Sequence, residues 1–126
     1  MTMRILLDTH LLLWALGAPS KLPPRARRLL AAGDVFVSAA SIWEISIKVA
    51  PGKLSADPEE VLAALEPAGF LSLPVTGTHA ARVASLPPVH RDPFDRLLIA
   101  QAQAEPMHLL TNDRALVAYG ECVTLA

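Results

Sequence analysis

The chain has 126 residues, of which 52% are hydrophobic and only 18% charged, a composition that excludes an intrinsically disordered protein. Its length predicts one compact domain, spanning residues 1–126, with a buried core. The 11 basic and 12 acidic residues give a net charge of −1, so the overall charge shows no sign of a strongly basic nucleic-acid-binding domain.

The apolar segments are too short or too interrupted to serve as membrane or export segments. Gly17 and Pro19 end the longest early run, well short of the roughly 18 residues that a membrane-spanning helix needs. Asp8 and His10 break the apolar N-terminus, which is therefore untypical of a secretory signal, and a lone Cys122 allows no internal disulfide. We expect a cytoplasmic protein.

Short apolar and β-branched runs alternate with segments of helical pattern along the chain. The predicted strands are Arg4–Leu7 and residues 35–37, 70–73, 108–110 and 122–125. This alternation is typical of an α/β fold, and it predicts a parallel sheet with helices on both faces.

Capping residues predict where helices begin. A helix is expected over residues 25–32, and Asp57 begins another, because an Asp before a proline is a favourable N-cap. A third helix begins at Thr76 or Thr78 and is expected to continue through Leu86.

Two carboxylates follow strands at the point where each strand ends. Asp8 directly follows Arg4–Leu7, and Asp113 comes shortly after the strand at 108–110. Because ligands bind in the crevice at the carboxyl edge of an open parallel sheet, these two acids are expected to face one site. Either acid alone could simply cap a turn, but the coincidence at two strands favours a functional pair.

Glu44 lies in a helix-like segment, residues 38–49, whose apolar residues occupy more than half of the circumference. Two structural roles stay open for it, a capping box with Ser41 and an i,i+4 ion pair with Lys48. Its enclosure by apolar residues favours a place in a confined pocket.

Two more acids begin the next helix, predicted near residues 94–104. Asp92 precedes Pro93 and is the better N-cap. Asp95, in the first turn, either complements the helix dipole or points toward the same crevice as the other acids.

A cluster of carboxylates needs a cation. Two unit charges about 4 Å apart repel by roughly 4 kcal/mol at an effective dielectric constant of about 20. Oxygen ligands without cysteines or paired histidines favour Mg²⁺ or Mn²⁺ over Zn²⁺. The chemistry such a site supports is hydrolysis of a phosphodiester.

Four segments, in this order, resemble the motifs of PIN-domain proteins, specifically VapC-type toxins of bacterial toxin–antitoxin pairs. They are residues 6–10 (LLDTH), 41–45 (SIWEI), 92–102 (DPFDRLLIAQA) and 110–113 (LTND). The resemblance implies an α/β/α sandwich with a central parallel sheet. It also implies a Mg²⁺- or Mn²⁺-dependent endoribonuclease that cuts structured RNA, such as tRNA or rRNA, and is inhibited by a small VapB-like antitoxin.

Carried over residue by residue, the resemblance implies four catalytic and metal-binding acids, which are Asp8, Glu44, Asp95 and Asp113. Asp92 is an accessory acid, and Thr111 matches a hydroxyl position that orients the first aspartate. The basic residues near these motifs are candidates for holding RNA, with Lys48 and Arg96 preferred over Lys53, Arg91 and Arg114.

The sequence contains fewer indications of binding partners and of roles for the histidines. The apolar run at 11–16 packs in the core or, in part, against a second subunit or an antitoxin helix, and we hypothesise a homodimer. His10, His79, His90 and His108 show no metal-ligand spacing and are interpreted as incidental. The alternative to an enzyme is a PIN fold that binds RNA or a protein without cutting.

Overall fold

The computed structural model describes residues 2–49 and 56–126. Its strands are β1 (Arg4–Leu7), β2 (Asp34–Ser38), β3 (Leu71–Leu73), β4 (His108–Thr111) and β5 (Val123–Leu125). All pairings are parallel, and the sheet order is β3-β2-β1-β4-β5. The five strands predicted from the sequence are therefore confirmed.

Helices connect most of the strands. They are α1 (Thr9–Gly17), α2 (Pro24–Ala32), α3 (Ala39–Val49), α4 (Pro58–Ala64), α5 (Gly77–Arg82) and α6 (Pro93–Ala104). Asp57 caps α4 as predicted, since its side chain accepts a hydrogen bond from the Glu59 N–H at 2.9 Å. Thr76, not Thr78, caps α5.

The helix predicted to run through Leu86 ends earlier than expected. After α5 the chain tightens into a 3₁₀ turn over Val83–Ser85, and Leu86 is extended, with φ −72° and ψ 143°. Leu86 precedes Pro87, and the proline ring disfavours the helical conformation in the residue before it. The prolines therefore account for the extended Leu86, whereas the α-helix itself already ends at Arg82.

Two hydrophobic cores lie on opposite faces of the sheet. Ile5 and Leu7 of β1 join a cluster with Leu11 of α1, whereas Leu6 joins a second cluster with Leu98 of α6. This division follows from the alternation of side chains along a strand. Each fully buried leucine contributes about 1.5–3 kcal/mol, so both layers stabilise the sheet between them. The predicted α/β/α sandwich is confirmed.

The strand order reverses at β1, which pairs with β2 on one side and β4 on the other. Leu7 lies opposite Leu110 of β4, and the Asp8 N–H extends the ladder by donating to the Leu110 carbonyl at 3.0 Å. In open parallel sheets such a reversal creates a crevice at the carboxyl ends of the strands. The fold thus brings the residues after β1 and β4 to one place.

Gly33, between α2 and β2, allows a close backbone approach. A Cβ there would lie 2.9 Å from the Met3 carbonyl oxygen, 3.1 Å from that of Leu29 and 2.7 Å from the Ile5 side chain. Gly33→Ala is expected to lower the free energy of unfolding in urea by about 1–3 kcal/mol, because backbone cannot yield as a flexible side chain can. Gly77→Ala, with open space around it, is the matched control. Equal stability of the two variants would contradict this packing.

Candidate active site

A cleft of about 770 Å³ opens at the carboxyl edge of the sheet, between α1, α3, α4 and the start of α6. All four acids predicted as catalytic line it, together with the predicted accessory acid and one predicted basic residue. These six residues are Asp8, Glu44, Asp92, Asp95, Asp113 and Lys48. The fold therefore gathers side chains from four separate segments around one space.

Asp8 is buried and its carboxylate is fixed at both oxygens. Oδ1 accepts a hydrogen bond from the His10 N–H at 2.8 Å, which caps α1, and Oδ2 accepts one from the Thr111 hydroxyl at 2.8 Å. Burial raises the pKa of Asp8; these two hydrogen bonds oppose that shift, and the nearby Glu44 adds to it. Thr111 lies where the sequence comparison expected a hydroxyl that orients this aspartate.

The Thr111 hydroxyl supplies a buried donor that valine cannot replace. Thr111→Val keeps the branched shape but leaves Oδ2 of Asp8 without its donor, which is expected to lower the free energy of unfolding by about 1–3 kcal/mol at pH 8 in EDTA. Thr111→Ser keeps the hydroxyl and loses only a methyl group, at a cost of about 0.8 kcal/mol. Urea unfolding of both variants tests this; a valine variant at least as stable as the serine variant would contradict it.

Glu44 presents one free carboxylate oxygen inside the cleft wall. The residue is 4% exposed, its Oε2 pairs with the Lys48 ammonium one turn further along α3, and its Oε1 has no hydrogen-bond partner among the described residues. The hydrogen bond from Lys48 to Glu44 raises the pKa of the lysine. The i,i+4 pair with Lys48, one of the two structural roles left open, is confirmed, and Oε1 is an acceptor available to a cation.

The alternative capping box between Ser41 and Glu44 is wrong. α3 begins at Ala39, and Ser38 supplies the cap by accepting from the Ala40 N–H at 3.0 Å. Ser41 lies inside the first turn, where its Oγ accepts a hydrogen bond from the Thr9 hydroxyl at 2.8 Å. This buried hydrogen bond connects α3 to α1. Because Ser38 is the cap, Glu44 has no capping role.

Asp92 and Asp95 have different environments at the start of α6. Asp92 is the N-cap, as predicted, and accepts from the Phe94 N–H at 2.9 Å. Asp95 is largely buried, and this burial raises its pKa to about 7, with further contributions from the negative charges of Asp92 and Asp8. A carboxyl group so disfavoured as an anion marks the place where a cation would be most stabilising.

His90 lies between Asp95 and Asp113, although the sequence analysis interpreted this histidine as incidental. Its Nε2 is 3.5 Å from Oδ2 of Asp95 and 3.5 Å from Oδ2 of Asp113. Ligand atoms of these three residues all lie within 4.8 Å of one another. The sequence did not reveal this arrangement because His90 and Asp113 are far apart in the chain. The one nearby indication was that His90 lies two residues before Asp92, the N-cap of α6.

The residues predicted to hold RNA lie in different environments. Lys48 lines the cleft. Arg96 instead lies against the protein, donating to the carbonyls of Pro87 at 3.0 Å and Val83 at 3.1 Å, so its guanidinium fastens the loop before α6. Arg91 and Arg114 are exposed, and Lys53 lies outside the described residues.

The apolar run at 11–16 serves both the core and the cleft. Leu11 and Leu12 are fully buried in the core, whereas Leu13, Trp14 and Leu16 line the cleft.

Within residues 2–49 and 56–126, no helix has the length and apolar character needed to cross a membrane.

The donors in the cleft fit a hard divalent cation. Five of the cleft-lining side chains are the carboxylates of the predicted catalytic and accessory acids, and Oε1 of Glu44 is buried without a hydrogen-bond partner in residues 2–49 and 56–126. Mg²⁺ and Mn²⁺ prefer such oxygen ligands, while Zn²⁺ in proteins more often takes nitrogen and sulfur. The residues present therefore match the cation that the sequence predicted.

Comparisons with known proteins place the chain among related folds. The family model of the PIN domain matches residues 5–121. The structure is similar to that of VapBC2 from Rickettsia felis bound to a promoter DNA fragment, with 16% identity, a TM-score of 0.71 and 98% of each chain covered.

Two further solved structures have the same fold. A toxin–antitoxin complex from Klebsiella pneumoniae gives 19% identity, a TM-score of 0.66 and 95% coverage of each chain. FitAcB from Neisseria gonorrhoeae gives 25% identity and a TM-score of 0.65, covering 94% of this chain and 95% of that one. A comparison with curated protein sequences finds no relative of this chain.

Proposed function

Since this chain belongs to the PIN domain family, we propose that it is a metal-dependent endoribonuclease that hydrolyses phosphodiester bonds of structured RNA, such as tRNA or rRNA. We propose further that it is the toxin of a toxin–antitoxin pair. One observation carries the proposal, namely the convergence of four acids on one cleft, where a buried carboxylate oxygen has no hydrogen-bond partner in the part of the chain that the structure describes. Those four acids are Asp8, Glu44, Asp95 and Asp113.

These acids would hold Mg²⁺ or Mn²⁺. When bound, the ion supplies a water of lowered pKa and neutralises charge on the attacked phosphate. Other residues of the chain orient the carboxylates of this site. The Thr111 hydroxyl and the His10 N–H orient Asp8, and the ion pair with Lys48 orients Glu44. Because the Lys48 side chain is 44% exposed and lines the cleft, its ammonium is the group we assign to an RNA phosphate.

The partner proposal rests on the apolar half of the same cleft. Leu13, Trp14 and Leu16 of α1, and Val61 and Ala64 of α4, line this part of it. An amphipathic segment of a VapB-like antitoxin would find apolar contacts there and close the way to the acids. The solved relatives from Rickettsia felis and Klebsiella pneumoniae are toxin–antitoxin complexes, which supports this assignment. The homodimer stays a prediction from the sequence.

The test is cleavage of total bacterial RNA by antitoxin-free protein with Mg²⁺, with Mn²⁺ and with EDTA. We expect discrete fragments in both metals and none in EDTA, with single-stranded and duplex DNA of equal length cut far more slowly. Absence of cleavage, from protein shown to be folded and to bind Mn²⁺, would contradict the proposal and favour a fold that binds RNA or protein without cutting.

A further inference from the structure

The loop that precedes α6 holds His90 in a fixed position. The His90 N–H donates to the Tyr119 hydroxyl at 3.0 Å, and its carbonyl accepts from the Arg96 guanidinium at 3.4 Å. The same guanidinium binds the carbonyls of Pro87 and Val83 further back in the loop. The backbone of His90 is thus held on both sides by residues of other elements, and its ring is not a mobile surface group.

The ring nitrogens of His90 have opposite roles. The Asp92 N–H donates to Nδ1 at 3.0 Å. A ring nitrogen that accepts a hydrogen bond carries no proton, so the proton of the neutral ring is on Nε2. That Nε2 lies between two carboxylates, 3.5 Å from Oδ2 of Asp95 and 3.5 Å from Oδ2 of Asp113, which are electrostatic contacts longer than a hydrogen bond.

This arrangement is the reverse of the one that a metal-binding histidine needs. A ligating imidazole offers a bare nitrogen to the metal and donates the N–H of its other nitrogen to an acceptor. Here the second nitrogen faces a backbone donor, and the nitrogen near the acids carries the proton. The spacing of His90, Asp95 and Asp113 would suit a three-ligand cation site, but the tautomer argues against it.

We infer that His90 is a positioning residue of the acidic cleft: its Nε2–H lies between the carboxylates of Asp95 and Asp113 and favours their present orientation electrostatically, and the ring is not itself a ligand. Its N–H lies between two carboxyl groups that repel each other when both are ionised, as they would be on binding a cation. Held in this way, the two carboxylates offer oxygens to the same cation. The cation site keeps an all-oxygen ligand set, which disfavours metals that prefer nitrogen. This inference rests on the proposed function.

Mn²⁺ titration of the full chain, followed by the electron paramagnetic resonance signal of free Mn²⁺, tests the positioning role. His90→Ala is expected to weaken Mn²⁺ binding by about 10-fold, in the lower range found when a residue that orients metal ligands is removed. His90→Gln, whose amide places an N–H donor near the same point, is expected to recover most of the affinity. His108→Gln, at the exposed amino end of β4, is the matched control and should bind as the wild type does.

A spectroscopic readout separates a positioning residue from a ligand. In ¹⁵N-histidine NMR of the wild type, we expect the His90 resonances, assigned by their loss in His90→Gln, to show a proton on Nε2 both without metal and with Mg²⁺. A proton transferred to Nδ1 on adding Mg²⁺, or imidazole nitrogen coupling in the Mn²⁺ spin echo, would overturn the inference. Wild-type Mn²⁺ affinity in a folded His90→Ala variant would overturn it as well.

These measurements need no RNA. Absence of RNA cleavage by a wild type that binds Mn²⁺ would therefore contradict the proposed function without contradicting the role of His90. If His90→Ala does not fold, the glutamine variant and the NMR measurement decide the question: affinity lost in His90→Gln, or a proton on Nδ1, would overturn the inference.

Discussion

Asp95→Asn is expected to reduce metal-dependent RNA cleavage by at least about 100-fold while leaving the fold intact, a loss of the size seen when one preorganised charge-stabilising group is removed from an active site. Asparagine has nearly the same shape and stays compatible with the first turn of α6. It removes the negative charge that the cation would neutralise. The measurement is the single-turnover rate of cleavage of one RNA in Mg²⁺, with circular dichroism to confirm the fold.

Asp34→Asn is the matched control for this variant. Asp34 is an exposed aspartate at the first position of β2, on the amino edge of the sheet and thus opposite the cleft. It should cut at the wild-type rate, whereas Asp8→Asn, Glu44→Gln and Asp113→Asn should be impaired. Cleavage at the wild-type rate by Asp95→Asn would refute its assignment, and activity surviving in all four variants would indicate a contaminating nuclease.

The metal-free protein is expected to lose stability as the pH rises from about 4 to about 7. Burial raises the pKa of Asp95 from 3.8 to about 7, so the folded state binds this proton more tightly than the unfolded state does. The stabilisation is fully present below the unfolded pKa and is lost as the pH passes through the folded pKa. For this group the change is on the order of 4 kcal/mol.

Urea unfolding in EDTA at pH 4 and pH 8, on the wild type and Asp95→Asn, isolates that contribution. The variant has no proton to lose at this position, so its stability relative to the wild type should grow by on the order of 4 kcal/mol between the two pH values. Mn²⁺ at 100 times the dissociation constant of the wild type should then stabilise the wild type by about 2.7 kcal/mol. The same Mn²⁺ concentration should stabilise the variant less, because the variant binds the ion more weakly. Parallel pH dependence of the two proteins would contradict the burial of this carboxyl.

Local signals allowed most of the fold to be predicted. The strands were readable because each is a short apolar run between turn residues. Asp57 and Asp92 were recognisable as helix caps because each precedes a proline, and a cap involves only neighbours in the chain. Thr76 and Thr78 could not be separated in the same way, since both are residues that cap well and nothing nearby excludes either.

The acids were predictable to different degrees. Asp8 and Asp113 follow from topology alone, because adjacent parallel strands end at one edge. Glu44 and Asp95 depend on the family resemblance, since in each case a local structural role was equally open. The structure brings all four to one cleft, and it excludes the capping box of Ser41 and Glu44 because α3 begins at Ala39, with Ser38 as its cap.

Contacts that neither the sheet topology nor the family resemblance covers could not be predicted from the sequence. An arginine such as Arg96 has the same charge whether it binds RNA or the carbonyls of a neighbouring loop, and only the packed structure distinguishes these roles. The position of His90 depends in turn on that loop, on Tyr119 and on the direction of one backbone N–H. Its role therefore became visible only from hydrogen-bond geometry.

The most direct test of the central claim is anomalous diffraction from crystals of the chain grown with Mn²⁺. We expect an anomalous peak inside the cleft, with carboxylate oxygens of Asp8 and Asp95 among the ligands and the Nε2 of His90 outside the coordination sphere. The absence of a peak in the cleft at saturating Mn²⁺, or a peak ligated only by residues elsewhere on the surface, would contradict a catalytic metal held by these acids.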